Sequence, residues 1–185
     1  MIVRDKQSFS IASEKLDIPP LLAPDIAFYI KGLRKPESTR DGVVWLGRND
    51  PESKDSGDVE NVDPDVEYID WIDAPGMPPW VWARRLNKYS RFGLQKYTMG
   101  LKERIFLDIA KKRVQRGVEI VTNRRGLVTE RLHGHILALL LDLPHVVIDN
   151  SYGKISAFHK AWTKDSEIAY FVNSKQDAIL KAKNL

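Results

Sequence analysis

Short apolar runs occur along the chain and alternate with helical segments from Leu127 onward. Val43 to Leu46, Leu127 to Thr129 and Pro144 to Asp149 are compact apolar runs of the kind that buried strands show. His133 to Leu141, rich in leucine and alanine, predicts a helix between the last two strands, and Ile155 to Trp162 predicts a helix after them. This strand, helix, strand, helix order predicts a Rossmann-like α/β fold, with a parallel sheet and flanking helices.

The rest of the pattern is less regular. Ser8 to Leu16 fits a short helix, Val66 to Ile72 predicts another strand, and Leu101 to Arg113 has helical spacing. Val114 to Thr122 is ambiguous, because its β-branched residues favour a strand while its valines fall at helical spacing. Arg48 to Asp65 is charged and contains glycine and proline, which predicts a surface loop.

Composition narrows the class of protein. The 185 residues suit one domain with a hydrophobic core, and the absence of cysteine excludes disulfides and thiolate metal sites. The net charge of +4 is uneven, since acidic residues crowd Asp50 to Asp73 and basic residues crowd Arg84 to Arg131. A basic segment suits an anionic partner such as nucleic acid, an anionic membrane or a phosphorylated small molecule, although a solvated helix face accounts for most of these charges.

Membrane and export signals are not apparent in the sequence. The N-terminus is polar within a few residues of Met1, and the longest strongly apolar stretch, Ile136 to Leu141, is far shorter than the roughly 20 residues that span a bilayer. We therefore expect no transmembrane segment and a cytoplasmic location. The alternative is the secretory pathway, if an anchor precedes Met1.

Ligands of open parallel sheets bind at the carboxyl ends of the strands. Thr129 to His135 and Asp149 to Lys154 both lie between a strand and the next helix, where backbone N–H groups and the helix dipole favour anions. Arg131, Ser151 and Lys154 add donors suited to phosphate or carboxylate. Dinucleotide and P-loop motifs are missing from the sequence.

The histidines divide into one functional candidate and three structural ones. His133 and His135 are two residues apart, so on a helix they point in different directions and do not form a metal site. We expect His135 to be packed or at the surface, His145 to be structural and His159 to be exposed. His133 is the functional candidate, because it lies at a helix start beside Arg131.

The sequence around Arg131 also resembles a known family, the polysaccharide pyruvyl transferases. Residues 128–137, Val-Thr-Glu-Arg-Leu-His-Gly-His-Ile-Leu, resemble the Arg-Leu-His segment of that family. The resemblance continues through Leu143 to Lys154 and Phe158 to Thr163; it is thinner upstream, at Trp45 to Asp50, at Pro24-Asp25 and at Arg4-Asp5 with Ser8. One departure is Glu130, where the family pattern has aspartate.

The resemblance implies a GT-B type architecture, in which two Rossmann-like halves face each other across a cleft. Residues 1–40 would be the trailing segment of a largely missing N-terminal half and a linker. Residues 41–185 would be the C-terminal, Rossmann-like, phosphoenolpyruvate-binding domain. The resemblance also implies that Arg113 to Asn123 is helical.

The implied reaction moves a pyruvyl group from phosphoenolpyruvate to a pair of sugar hydroxyls as a ketal. Arg48 and Arg131, which follow different strands, would bind the two anionic groups of the donor, and His133 would protonate its methylene carbon. Ser151 and Lys154 would complete the phosphate site, and Asn150 would orient the loop. The partners would be phosphoenolpyruvate and a saccharide acceptor, without a metal or other cofactor.

Three other functions stay open from the sequence. A GT-B glycosyltransferase that uses a nucleotide sugar would share the fold and an anion site. A non-catalytic truncated remnant would keep the fold without the acceptor site. A nucleic-acid-binding module ranks last, because only the basic charge supports it and no recognised motif is present.

These interpretations make two structural predictions. Arg131, His133, Ser151 and Lys154 should converge at one end of the sheet, with Arg48 facing them across a cleft; otherwise Arg131 pairs with Glu130 or Asp149 and His133 is a helix cap. An orphan half-domain should also expose apolar side chains between Met1 and Tyr29, where a partner domain would dock.

Overall fold

The computed structural model describes residues 1–36, 40–47, 63–71, 95–149 and 153–185. The strands in this part of the chain are β1 (Ile2–Val3), β2 (Leu21–Leu22), β3 (Val43–Leu46), β4 (Val66–Ile69), β5 (Gly126–Thr129), β6 (His145–Ile148) and β7 (Ala169–Val172). The helices are α1 (Lys6–Lys15), α2 (Gln95–Val121), α3 (Leu132–Leu140), α4 (Lys154–Phe158) and α5 (Lys175–Lys183). A 3-10 turn covers Ile26–Tyr29, and a π-helical turn covers His159–Thr163.

The chain divides into two compact units. The first unit contains Met1–Asp70 and Val118–Leu185, and the second contains Trp71–Gly117. The described part of the second unit is Trp71 together with most of α2, where Lys112 and Asp108 form an exposed ion pair one turn apart. The candidate site lies in the first unit.

A parallel sheet of five strands forms the centre of the first unit. The strand order is β4-β3-β5-β6-β7, and every neighbouring pair is parallel. The chain therefore winds outward in one direction from β3 to β4 and in the other from β5 to β7, so the winding reverses between β3 and β5. Ligands of such sheets bind at this switch point, outside the carboxyl ends of the strands.

Helices cover both faces of this sheet, because alternate side chains of each strand point to opposite faces. Trp45, Val128 and Val146 share one face and pack in a cluster with Ala178 and Ile179 of α5. On the other face, α3 approaches β3 and β5 so closely that Gly134 lies against Leu46 and Thr129. The three layers confirm the predicted parallel sheet with flanking helices, including the adjacency of β5 and β6.

The N-terminal residues form a smaller parallel pair, β1 and β2, joined through α1. Asp5 caps α1 by accepting hydrogen bonds from the Ser8 backbone N–H and the Ser8 hydroxyl, both at 2.8 Å. Trp162 Nε1 donates to the Arg4 carbonyl at 2.8 Å, and the Phe28 ring stacks on Phe158 with a centroid distance of 6.1 Å. These contacts attach the N-terminal segment to the α4 region of the larger sheet unit.

Apolar side chains of this N-terminal segment are nevertheless exposed, as predicted. Their exposed fractions lie between 61% and 81% for Met1, Ile2, Ile18, Leu21, Ile26 and Tyr29. Exposed apolar side chains are typical of surfaces that other domains or proteins cover when they form one contiguous patch.

The predicted elements differ from the observed ones mainly at their ends. The ambiguous stretch from Val114 is helical, since α2 continues to Val121. The strand expected over Val66 to Ile72 ends at Ile69, and the helix expected over Ile155 to Trp162 becomes α4 followed by the π-helical turn. Neither β7 nor α5 was predicted.

Gly134 is required for the close packing of α3 on the sheet. A Cβ at this position would overlap Thr129 Oγ1 and lie 2.7 Å from Leu46 Cδ2. We expect Gly134→Ala to lower the free energy of unfolding by about 1–3 kcal/mol, because overpacking outweighs the better helix propensity of alanine. Chemical denaturation of the purified chain measures this change.

Gly100 provides the matched control, because it is also helical but a Cβ there meets nothing within 4 Å. Gly100→Ala should leave the stability unchanged or raise it by up to about 1 kcal/mol. Equal effects of the two substitutions would contradict the packing argument for Gly134.

Candidate functional site

Three neighbouring strands bring one arginine and its partners together at the switch point. Gly47 follows β3, Asp70 follows β4, and Arg131 follows β5. Arg131 Nε donates to the Gly47 carbonyl at 2.8 Å, and Arg131 Nη2 forms an ion pair with Asp70 Oδ1. The Asp70 side chain is fully buried, whereas 16% of the Arg131 side chain is exposed. A buried carboxylate therefore binds one edge of a guanidinium that still reaches solvent.

The turn between β5 and α3 is fixed by its own hydrogen bonds. The Glu130 backbone N–H donates to the Leu46 carbonyl at 3.1 Å, and the Arg131 N–H donates to Thr129 Oγ1 at 3.1 Å. Trp45 Nε1 donates to Glu130 Oε1 at 3.0 Å inside the core. The glutamate that departs from the family pattern thus satisfies a buried indole N–H on the neighbouring strand, and this turn holds Arg131 in place.

Arg131 is also the N-cap of α3. Its backbone is extended, and its own side chain makes no capping hydrogen bond to the first N–H groups of α3. The first backbone donors of a helix lack intrahelical partners, and the helix dipole adds a partial positive charge there. The start of α3 therefore presents backbone donors and a guanidinium at the same edge of the sheet, which suits an anion.

His133 lies in the first turn of α3 and faces the N-terminal segment. Its side chain is 66% exposed, and its Nε2 lies 3.8 Å from Asp25 Oδ2. The same carboxylate oxygen accepts a hydrogen bond from Arg4 Nη1 at 3.0 Å, while Asp25 Oδ1 accepts from the Ala27 N–H at 3.1 Å. His133 is accessible to a ligand and is not the N-cap of α3.

The Asp25 carboxylate remains charged beside His133. Partial burial alone would raise the pKa of Asp25, but the hydrogen bonds from Ala27 and Arg4 and the positive charges of His133 and Arg4 outweigh that effect, so its pKa is lowered. Asp25 thus forms an ion pair with His133 whenever the imidazole carries a proton.

The other three histidines form a buried hydrogen-bonded series that joins α3, the start of β6 and the π-helical turn. His145 Nδ1 lies 2.7 Å from the Leu143 carbonyl, and its Nε2 lies 2.7 Å from His135 Nδ1. Thr163 Oγ1 then connects His135 Nε2 at 3.0 Å with His159 Nδ1 at 2.9 Å. The Leu143 carbonyl can only accept, so His145 donates to it from Nδ1. If each imidazole is neutral, with one N–H and one acceptor nitrogen, the remaining donors follow: His135 donates from Nδ1 to His145, Thr163 donates to His135, and His159 donates to Thr163.

This arrangement requires neutral imidazoles. Burial lowers the pKa of His135 to about 3 and that of His145 to about 4, and burial also lowers the pKa of His159. His135 is packed, which is one of the two placements expected for it, and His145 is buried at the start of β6, in agreement with the structural role expected for it. The expectation of an exposed His159 is wrong: it is half-buried, hydrogen-bonded to Thr163 and stacked on Phe171.

The lowered histidine pKa values predict an acid-labile fold. Below the ordinary value of 6.5, the unfolded chain binds protons that folded His135 and His145 exclude. Stability is therefore full above pH 6.5 and falls as the pH drops toward 4, by about 2 kcal/mol per histidine between pH 6.5 and pH 5. Urea denaturation at pH 7.5, 6 and 5 measures this loss.

His133→Gln is the control for this pH dependence, because His133 is exposed and belongs to the same helix as His135. That variant should lose stability between pH 6.5 and pH 5 as steeply as the native chain. A native chain that is equally stable at pH 7.5 and pH 5 would contradict the requirement for neutral buried histidines.

The start of α4 is less suited to an anion than the sequence indicates. Asp149 Oδ1 already accepts from the backbone N–H groups of Ile155 at 3.2 Å and Ser156 at 3.3 Å. A phosphate would compete with this carboxylate for the same donors. Lys154 begins α4 after β6, at the same sheet edge as Arg131.

The remaining predicted site residues, Arg48, Asn150 and Ser151, lie outside the described residues. The predicted arrangement of these three residues with Arg131, His133 and Lys154 therefore stays a prediction. The carboxylate bound to Arg131 is Asp70, rather than the Glu130 or Asp149 considered from the sequence.

Sequence reasoning missed Asp70 and the link between Asp25 and His133. Asp70 directly follows β4, and Arg131 comes two residues after the end of β5. The position of Asp70 just after a strand could therefore have indicated a site residue. In the described part of the chain, no group of three or more histidine, aspartate or glutamate side chains is placed to bind a metal ion. None of the described helices is long and apolar enough to cross a membrane.

Comparisons with known proteins agree with these observations. "Pyruvyl transferase 1" of Schizosaccharomyces pombe (strain 972) is 29% identical over 173 residues, which cover 88% of this chain and 39% of that protein. "Putative pyruvyl transferase EpsO" of Bacillus subtilis (strain 168) is 43% identical over 49 residues, which cover 26% of this chain and 15% of that protein. The chain thus spans less than half the length of these relatives. The family described as polysaccharide pyruvyl transferase matches residues 1–152, which include Arg131, His133 and their partners, and the chain belongs to that family.

Proposed function

We propose that this chain is the phosphoenolpyruvate-binding part of a pyruvyl transferase that forms a ketal on a sugar. The observation that supports this most directly is the position of Arg131, which is anchored at the switch point of the sheet and at the start of α3. A two-charged donor such as phosphoenolpyruvate needs fixed cationic groups once it leaves water. Membership of the polysaccharide pyruvyl transferase family supports the transfer of a pyruvyl group.

Arg131 would bind one anionic group of the donor through the edge of its guanidinium that Gly47 and Asp70 do not occupy. Arg48 would bind the other group, because it follows Gly47 at the carboxyl end of the neighbouring strand β3. Lys154, with Ser151 and Asn150 before it, would approach the phosphate from the end of β6.

His133 would act as the proton donor. Protonation of the methylene carbon makes the adjacent carbon electrophilic, and a sugar hydroxyl adds there while its proton returns to a base. The second hydroxyl then attacks the same carbon as the C–O bond to the phosphate breaks, and its proton leaves with the phosphate, which gives the ketal and inorganic phosphate. Asp25 would stabilise the protonated imidazole between these steps, since it lies 3.8 Å away. No metal or cofactor enters this scheme.

We further propose that the active protein contains a preceding domain, as in a GT-B fold. The matched relatives are much longer than this chain, which covers 39% of the S. pombe protein. The exposed apolar side chains of residues 1–30 would be covered by that domain, which would also bind the saccharide acceptor. A cytoplasmic location is proposed with it, since a chain without cysteine is compatible with a reducing compartment; the alternative is the secretory pathway, if an anchor precedes the chain.

Calorimetric titration with phosphoenolpyruvate tests the binding part of this proposal. It is made on this chain alone and on the chain co-produced with the preceding half of the protein. Saturable binding that competes with inorganic phosphate supports the proposal, while the absence of binding in both forms refutes it.

Product analysis tests the reaction. With a saccharide acceptor present, the two-domain protein should release inorganic phosphate from phosphoenolpyruvate in proportion to ketal formed. Release of a nucleotide from a nucleotide sugar, without consumption of phosphoenolpyruvate, would instead identify a glycosyltransferase of the same fold.

A further inference from the structure

We propose that Asp70 is a positioning residue, which holds the Arg131 guanidinium in the orientation that receives the anionic substrate. This inference rests on the proposed function of Arg131. It assigns a role to a carboxylate that the sequence pattern did not single out.

The ion pair between Asp70 and Arg131 crosses the switch point. Asp70 follows β4 and Arg131 follows β5, and these two strands are separated by β3. The pair therefore lies over the carboxyl end of β3, where Gly47 also accepts a hydrogen bond from Arg131 Nε at 2.8 Å. This is the place in an open parallel sheet where ligands bind.

The two anchors fix the plane of the guanidinium. A guanidinium has five N–H donors, and the bonds to Gly47 and Asp70 occupy its Nε and Nη2 edge. With one edge bonded at two points, the group cannot rotate within or out of its plane without breaking a contact. The edge formed by Nη1 and Nη2 is then a preoriented fork for a carboxylate or phosphate.

A second ion pair, formed by Glu67 of β4, is much more exposed. Glu67 binds Arg124 Nε at 2.9 Å, and the two side chains are 38% and 29% exposed. Asp70, by contrast, is completely buried. Burying a carboxylate costs desolvation free energy unless a cation binds it in good geometry. The complete burial of Asp70 therefore fits a pair in which Arg131 is held in one orientation.

The test is a double-substitution cycle with phosphoenolpyruvate as the probe, on whichever form of the protein binds it. Asp70→Asn keeps the shape and removes the charge, and it should raise the dissociation constant about tenfold. Arg131→Ala should raise it at least as much. The double variant should bind as weakly as Arg131→Ala alone, because Asp70 acts only through Arg131.

Glu67→Gln is the matched control. Glu67 lies on β4, the strand that Asp70 follows, and its carboxylate is likewise paired with an arginine. Alone, this variant should bind phosphoenolpyruvate as tightly as the native chain, and combined with Arg131→Ala it should bind as Arg131→Ala does by itself. This control separates a local effect on Arg131 from a general effect of losing an ion pair. If Asp70→Asn does not fold, Asp70→Ser supplies a smaller neutral side chain for the same cycle.

The outcomes of this cycle distinguish failure of the positioning role from failure of the proposed function. Unchanged or tighter binding by the Asp70 variants, with weaker binding by Arg131→Ala, would overturn the positioning role and leave the proposed function intact. Additive losses in the double variant would also overturn it, because Asp70 would then act independently of Arg131. Unchanged binding by Arg131→Ala would instead refute the substrate-binding role of Arg131 on which this inference rests.

Discussion

Replacing His133 with alanine is expected to lower turnover of the two-domain protein by a factor of about 10²–10⁴ and to change phosphoenolpyruvate affinity much less. A positioned proton donor contributes about that factor to a reaction rate. His133 is suited to this role because its side chain is 66% exposed and has a carboxylate 3.8 Å away that can stabilise its protonated form. Steady-state kinetics and calorimetric titration measure the two effects separately.

His133→Gln is the companion variant, because its amide retains a hydrogen-bond donor but cannot supply an acidic proton. It should be impaired about as severely as the alanine variant. Full turnover of either variant would remove the histidine from the mechanism. A loss of affinity that equals the loss of turnover would make His133 a binding residue instead.

The elements that the sequence predicted best are those whose pattern is decided locally. The run Val43 to Leu46 is buried at every position, so it reads as a continuous apolar strand and the structure agrees. His133 and His135 were separated by helical spacing alone, and one is exposed while the other is buried. In each case the burial of a side chain follows directly from its place in one strand or helix.

The elements that the sequence did not predict have weak local contrast. The buried residues of α5 are Ala178, Ile179 and Ala182, and two of these three are alanines, so the helix has no strong apolar stripe beside its five charged or amide side chains. Its start did carry a usable signal, because Ser174 is followed three residues later by Asp177, and the Ser174 side chain accepts from the Asp177 N–H at 3.1 Å. The capping-box residues are present, but no apolar run follows them, so the pattern alone did not predict a helix.

The site was harder to predict than the fold because its contacts join distant parts of the chain. Extending the strand to Ile72 placed Asp70 inside it, whereas β4 ends at Ile69 and leaves Asp70 at the sheet edge. The partner of Arg131 then depends on strand order, since β4 and β5 become near neighbours only when β3 lies between them. No local pattern around Arg131 contains that information.

Arg131→Ala is expected to raise the dissociation constant for phosphoenolpyruvate by a factor of about 10 to 100, which corresponds to the roughly 1.5–3 kcal/mol of a hydrogen bond to a charged group. An exposed surface ion pair would contribute only about 0–1 kcal/mol, but the Arg131 side chain is only 16% exposed and its carboxylate partner is fully buried. Its contact with an anion is therefore weakly screened. The measurement is a calorimetric titration.

Two further variants separate loss of binding from loss of structure, because Arg131→Ala also leaves the buried Asp70 without its cation. Arg131→Lys keeps the charge and loses the planar fork, so it should remain folded and still bind phosphoenolpyruvate about tenfold more weakly. Arg124→Ala removes the arginine that pairs with Glu67 of β4, the strand that Asp70 follows, and should leave the affinity unchanged. Affinity that is lost equally in the Arg124 and Arg131 variants would mean that general destabilisation, and not a specific anion contact, explains the effect.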